Sequence, residues 1–310
     1  MKTAELRSVK KVPFARYFRR NWSLYLFVLP ALLLMAAFQY APMYGVQIAF
    51  RNFSVKKGFF GSAWVGMAHF RRFFNSPNAL EIIGNTLKIS LLGTLINFPL
   101  PIVLALMLNQ LRSQRLKKTV QMITYMPYFI STVVLVGMMK VMFASNGVVN
   151  RVILMLGGQR QPFFNSAAAF LPMFILSGTW QNIGYNAIIY LAALASVPPE
   201  LHESAVVDGA SRLRRTISID LAWIMPTIII QLILRVGNVM NVSFEKAFLM
   251  QTDLNVSASE VISTYVYKIG ILNRQLSFST AVGLFNSVVN FALLLAVNFM
   301  AGRLSETSLF

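Results

Sequence analysis

Long apolar stretches separated by short polar segments run through this chain. The first, LYLFVLPALLLMAAFQYAPMYGVQIAF, extends from Leu24 to Phe50. Five more are expected near 84–110, 119–144, 169–195, 218–243 and 279–302. Each exceeds the roughly 20 residues that a helix needs to cross the hydrocarbon core. Each also contains Pro, Gly, Ser, Thr or Asn, which are tolerated at membrane depth where helices pack together or line a cavity. None has the alternation of a barrel strand. The pattern predicts an all-α integral membrane protein with six transmembrane helices.

Three intervening regions fall outside that bundle. Residues 51–83, with GFFGSAWVGMAHFRRFFNSP, read as a turn and a short aromatic-rich interfacial helix. Residues 145–168, with NGVVNRVILMLGG, read as a short amphipathic or re-entrant helix. Within 246–278, SEVISTYVYKIGIL suits helical packing across the outer mouth.

Composition supports the membrane assignment. Hydrophobic residues make up 56% and charged residues 12%, about half the charged fraction of a soluble domain. This excludes an ordinary soluble enzyme and a disordered chain. A net charge of +18 alone suggests nucleic acid, but basic loops facing the cytoplasm explain both charge and hydropathy, so no nucleic-acid partner is expected. The absence of Cys rules out a disulfide framework, a thiolate metal site and a cysteine nucleophile. His69 and His202 show no metal spacing and read as satisfied surface histidines.

The domain plan is a basic cytoplasmic tail over 1–23 followed by a membrane domain over 24–310. With an internal N-terminus, fifteen of the 28 cations lie inside, including Arg112, Arg115, Lys117, Lys118, Arg212, Arg214 and Arg215. Eleven, Lys246 among them, lie outside, while Lys88 and Arg235 fall within spans. The density in short inner segments places both termini in the cytoplasm.

The segment PPELHESAVVDGASRLRRTISIDLAWIMPT, 198–227, carries the clearest mechanism. Pro198 and Pro199 end one span and open a new helix. Glu200, Glu203 and Asp208 come early and Arg212, Arg214 and Arg215 late, an order that complements a helix dipole. Gly209 marks a bend. The expectation is two short helices in the cytoplasm, suited to docking in a groove of another protein.

That segment resembles the EAA loop of binding-protein-dependent ABC importer permeases: Glu-Ala-Ala, three residues, Gly, nine residues, then Ile-x-Leu-Pro. The matching positions are Glu203, Ser204, Ala205, Gly209, Ala210, Ile219 and Leu221. Ser204 replaces the first alanine, and Ala222 stands where the family has proline, with Pro226 downstream. PMYGVQIAFRNF at 42–53, YMPYFISTVVLVGM at 125–138, EVISTYVYKIG at 260–270, GLFNSVVNFALLLAVNF at 283–299 and RLSETSLF at 303–310 resemble its polysaccharide-type sugar permeases, the lipoprotein-associated and alginate-importer branch.

The resemblance implies a bacterial inner-membrane subunit that pairs with a second permease. It implies a coupling loop over 198–217 that meets a cytoplasmic ATPase dimer through Glu203, Ala205, Asp208, Gly209, Ala210 and Arg212. It also implies an extracytoplasmic solute-binding protein that delivers an oligosaccharide, with alginate- or pectin-derived acidic chains as candidates. ATP and Mg would belong to the ATPase subunits. This chain lacks the GxxxxGK[ST] loop needed to cradle phosphates, so no catalytic residue, cofactor or metal is expected in it.

Polar residues within spans are candidates for the translocation path: Trp180, Asn182, Tyr185 and Asn186 in TWQNIGYN, and Arg235, Asn238, Asn241 and Glu245 around the fifth span. Trp180 could stack on a sugar ring while amides meet hydroxyls; packing on the partner permease uses the same residue types. Arg235 could meet an acidic sugar or pair with Glu245 across a bend. A stand-alone transporter or channel is the alternative, but neither a coupled-ion site nor inverted halves are visible. A membrane enzyme would need a convergent acid/base or metal cluster, and the ten acids are scattered or lie in the docking loop.

Overall fold

The computed structural model describes residues 18–304. Residues 1–17 of the expected basic tail, and the end of RLSETSLF, lie outside them. The described chain is helical throughout apart from turns and one isolated bridge between Arg51 and Trp64. Four runs among the described residues are long and apolar enough to cross a membrane, and one bent pair of helices reaches that length and apolarity only when taken together.

The first run, Trp22–Phe50, begins with α1 (Trp22–Met35) and passes through π-helical Ala36–Tyr40 to a 3₁₀ segment, Tyr44–Phe50. Pro42 offers no N–H to Phe38, and the ladder changes register just before it, Ala41 N donating to Ala36 O. No residue of α1 is buried. The expected aromatic-rich helix is α2 (Ala68–Phe74), whose Phe70 and Phe73 turn inward.

The second run, Ala79–Asn109, joins α3 (Ala79–Asn97) to α4 (Pro99–Asn109), with Pro99 at the first helical position of α4, where no N–H is missed.

The stretch expected as one span over 119–144 is broken. α5 (Gln114–Tyr125) leads into 3₁₀ Met126–Phe129, and α6 (Thr132–Met142) leaves at 95°. Pro127 removes a ladder donor. Ile130 is extended, and the Ser131 hydroxyl caps α6 by accepting from Val134 N at 3.3 Å.

After α7 (Val148–Met155), the expected short amphipathic helix, comes α8 (Ala167–Leu194). Its 28 residues have ample length to span, but the polar TWQNIGYN centre leaves it outside the four most apolar runs. Short α9 (Pro199–Val207) leads by a turn to Arg212–Val236, which ends in α10 (Ala222–Val236). The helix expected to reach 243 stops at Val236, and residues 237–240 form a turn. Gly237 sits there against α13 (Leu276–Leu304); a Cβ on it would lie 2.5 Å from Leu294 Cδ1. Between them lie α11 (Phe244–Met250) and α12 (Ile262–Tyr267).

Three larger buried clusters hold the bundle, and a smaller fourth, Ala49, Phe70 and Ala281, ties the first run to α2 and α13. Ile89, Leu135, Val136, Met139, Phe170, Met173, Ala247 and Met250 join α3, α6, α8 and α11. Phe73, Ile82, Ile262, Phe278 and Val282 join α2, α3, α12 and α13. Ile102, Ala105, Ala187, Tyr190, Leu194 and Ile224 join α4, α8 and α10. Helix α8 takes part in two of the three and is the central strut. Gly184 permits this: a Cβ there would lie 2.1 Å from Thr124 O, so α8 and α5 touch backbone to backbone.

Candidate functional site

Two regions gather the predicted residues. The first is the 198–217 loop. Pro199 opens α9 and Glu200 lies in its first turn, favourable to the dipole. The end of α9 is a Schellman motif: Ala210 N donates to Ala205 O at 2.8 Å and Gly209 N to Val206 O at 3.0 Å. Gly209 has φ +71, the left-handed conformation this closure needs, which costs a side-chain-bearing residue about 1–2 kcal/mol. Ser211 then caps the next helix by accepting from Arg214 N at 3.3 Å.

This corrects one expectation. Because the chain restarts at Ser211, Arg212, Arg214 and Arg215 form the first turn of the following helix, not the last turn of α9. They oppose that helix's dipole, and the order of acids and bases does not span one helix. Nor does Ala222 lie at a break: it continues a helix whose upstream part, Thr216–Leu221, is π-helical, and Pro226 sits within α10.

Glu203, Asp208 and Gly209 are exposed, as are Leu201, Val206 and Val207, so α9 presents carboxylates beside apolar side chains. His202 faces the bundle. Its Nε2 lies 3.1 Å from Oδ1 of Asp220, which is fully buried, and Gln110 Nε2 donates to the other carboxylate oxygen at 3.0 Å. Asp220 thus ties the loop to the end of α4. This residue was missed in the sequence, although an acid within the apolar run ISIDLAWIM is itself a signal.

The second region is a pair of adjoining cavities of about 590 and 420 Å³ that share Asn97, Asn186 and Arg235. The larger is walled by α3, the Tyr128–Thr132 break, α8, the turn after α10 and the start of α11. Irregular backbone here faces a cavity, the setting in which it is tolerated at membrane depth. Gln181 Nε2 donates to Ile130 O, freed by the break, at 2.8 Å.

The expected path residues divide as follows. Asn182, Asn186, Arg235, Asn238 and Asn241 line the larger cavity, and Tyr185 lines the smaller. Tyr185 stacks on Tyr128 with centroids 3.7 Å apart. Asn182 Nδ2 is returned to Gly178 O at 2.8 Å within its own helix. Asn186 has no hydrogen-bond partner among the described residues, so its amide is the freest. Asn238 lies on the turn and Asn241 just after it; Asn241 Nδ2 donates to Asn238 Oδ1 at 3.2 Å, and its Oδ1 accepts from Asn286 Nδ2 at 3.0 Å. Trp180 and Glu245 line neither cavity, and both side chains are exposed.

Arg235 does not pair with Glu245. Its Nε reaches Thr94 Oγ1 at 3.4 Å, and the ion pairs among the described residues are His202–Asp220 and Lys268–Glu260. The break after Val236 puts Glu245 on a separate helix, where Lys246, Ala247 and Met250 turn inward and Glu245 outward.

Lys246, placed among the outer-loop cations by sequence, instead lines the larger cavity at 5% exposure. Its Nζ donates to Phe174 O at 2.8 Å and lies 4.8 Å from that ring's centroid. Burial lowers its pKa to about 8. Asn85 donates to Ser257 O and Glu260 O at 2.7 and 3.2 Å, while Asn97 accepts from Thr179 at the cavity.

A family model described as "Binding-protein-dependent transport system inner membrane component" matches residues 97–306. Protein LplB of Bacillus subtilis (strain 168) is 40% identical over 306 residues, 98% of this chain and 96% of its own length. The polygalacturonan/rhamnogalacturonan transport system permease protein YteP of the same organism is 38% identical, covering 93% and 90%. Among solved structures, a chain of a bacterial ABC transporter involved in the import of the acidic polysaccharide alginate superposes with a TM-score of 0.87 at 38% identity, covering 94% of this chain and 99% of that one. A second structure holds the bacterial alginate ABC transporter with an alginate pentasaccharide-bound periplasmic protein. Its matching chain gives a TM-score of 0.88 at 37% identity, covering 96% of this chain and 99% of that one.

Proposed function

The chain belongs to the family of binding-protein-dependent transport system inner membrane components, and from that premise we propose how its two polar regions divide the work of an importer. It is the non-catalytic permease subunit of an ABC-type oligosaccharide importer. It works with a second permease, cytoplasmic ATPase subunits that hold ATP and Mg, and an extracytoplasmic solute-binding protein.

In our reading the bundle spans the inner membrane six times. α8 supplies the span that composition alone leaves out, and both termini face the cytoplasm. The 198–217 loop docks on one ATPase subunit through Glu203, Ala205, Asp208, Gly209, Ala210 and Arg212. The adjoining cavities are this subunit's half of the path, completed by the second permease.

The observation that carries the docking role is the exposed, Schellman-closed α9 with the spacing Glu203 to Gly209, joined to the bundle through His202 and Asp220. As α9 is held to α4 and the Thr216–Leu221 segment, a displacement of the loop by nucleotide binding moves the cavity walls.

Two variants test it. Glu203→Lys puts a positive charge on the docking face and removes a charge-assisted hydrogen bond to the partner. Gly209→Val adds about 1–2 kcal/mol of backbone strain at the Schellman turn. Both should retain a folded membrane bundle and lose ATPase co-purification and sugar-stimulated ATP hydrolysis. Unchanged assembly and stimulation in both would refute docking by this loop.

A further inference from the structure

Resting on the reading of the cavity as an oligosaccharide path, we infer that Lys246 and Arg235 form a carboxylate-binding site within it. The permease, and not its delivery protein alone, then selects sugar chains that carry uronate groups.

The first support is a cation without a counter-ion. Lys246 is nine-tenths buried or more, yet no carboxylate approaches it, and neither Asp nor Glu lines the cavity. An ammonium has three donors. One is used on Phe174 O, and the other two have no acceptor among the described residues. The contact with the Phe174 ring offsets part of the desolvation of the charge. It does not replace an anion, and burying an unpaired charge remains costly.

The second support is that the cation is not alone. Arg235 reaches the same cavity from another element, held at Nε by the long contact to Thr94. The rest of its guanidinium keeps the planar fork that fits a carboxylate with two parallel hydrogen bonds. Two cations supplied by separate elements suit a chain with more than one acidic ring.

The third support is the wall around them. The amide of Asn186 and the Tyr128 ring, stacked on Tyr185 of the adjoining cavity, offer hydrogen bonds and an aromatic surface. Hydroxyl-rich rings use both. A small inorganic anion would need only the charges.

The arrangement also explains the direction of Glu245. One residue along a helix is a rotation of about 100°, so a shift of α11 by one position would put that carboxylate at the cavity wall in place of Lys246. Instead Glu245 is turned out and the cavity keeps its positive charge.

The test uses the complete complex, with its partner permease, ATPase subunits and binding protein, reconstituted in vesicles. The probes are trigalacturonate and its fully methyl-esterified form. Lys246→Met and Arg235→Gln should each slow trigalacturonate uptake about thirtyfold or more, the low end of the scale of losing a buried charge partner, and change uptake of the ester far less. Lys246→Arg should restore most of the acidic uptake. The binding protein is the same in every assay, so its preference cancels from each ratio of variant to wild type.

A binding measurement without the delivery protein closes the remaining gap. In detergent, millimolar trigalacturonate should raise the unfolding midpoint of the wild-type complex and not that of the Lys246→Met, Arg235→Gln double variant. The ester and inorganic phosphate should raise neither. Equal slowing of both uptake probes, unchanged uptake in the variants, or an equal midpoint shift with phosphate would overturn the carboxylate site and leave the importer reading standing. A wild-type complex that imports neither these probes nor any neutral oligosaccharide would overturn both.

Discussion

The 198–217 loop and the cavity are both polar regions of an apolar protein, but they are built in opposite ways. The loop is local. Its helix start, its left-handed glycine and its second cap fall within Pro198–Ser211, and every closing hydrogen bond spans five residues or fewer. The cavity is assembled from five parts of the chain between Ile89 and Lys246, and its charge depends on which side of one short helix faces inward. A local device keeps its chemistry wherever it is placed. An assembled one depends on the packing of its walls.

The largest effect should come from breaking that packing. Gly184→Val sets side-chain atoms against the α5 backbone at Thr124 O, an overpacking of about 3 kcal/mol with no room to relax. Thermal unfolding in detergent should show a midpoint several degrees lower, and the stacking of Tyr185 on Tyr128 should be lost, while the Schellman turn of the loop is untouched. A wild-type midpoint would mean that α5 and α8 are not in backbone contact.

A smaller effect should follow from cutting the joint between the two regions. Asp220→Ala leaves His202 and Gln110 without their acceptor, at a cost of about 2 kcal/mol for partly buried polar groups. ATPase co-purification should persist, because the docking face is intact, but sugar-stimulated hydrolysis should fall. Stimulation equal to wild type would show that the loop transmits its motion by another route.

The smallest effect should come from the cavity amides. Replacing Asn182 and Asn186 together with Leu removes one amide already bonded within its helix and one that is free. The loss is about one hydrogen bond, near 1 kcal/mol, and uptake should slow several-fold with normal complex yield. A fall in yield instead would place this face against the partner permease.

The two regions were unequally legible. In the loop, Pro199 and Gly209 act through their own backbone preferences, and the structure places each at the predicted kind of position, while the Ser211 cap was not read from the sequence. The error there was to run one dipole through Gly209, which in fact separates two helices. In the cavity, Asn182, Asn186, Arg235, Asn238 and Asn241 could be picked out as polar residues in or beside apolar runs. Trp180 and Glu245 fit the same description and line neither cavity, whereas Lys246, assigned to an outer loop, does.

Residue type and periodicity by themselves determined the all-α membrane character, the long apolar runs and the helix–turn–helix of the 198–217 loop. Burial in lipid, proline geometry and glycine conformation act over a few residues and need no partner. Tertiary structure alone decided the 95° break after Pro127, the end of α10 at Val236, the burial of Asp220 against His202 and Gln110, and the inward turn of Lys246. Each of these depends on the phase and closeness of helices that lie far apart in the chain, and a rotation of one residue exchanges a cation for a carboxylate at the cavity wall.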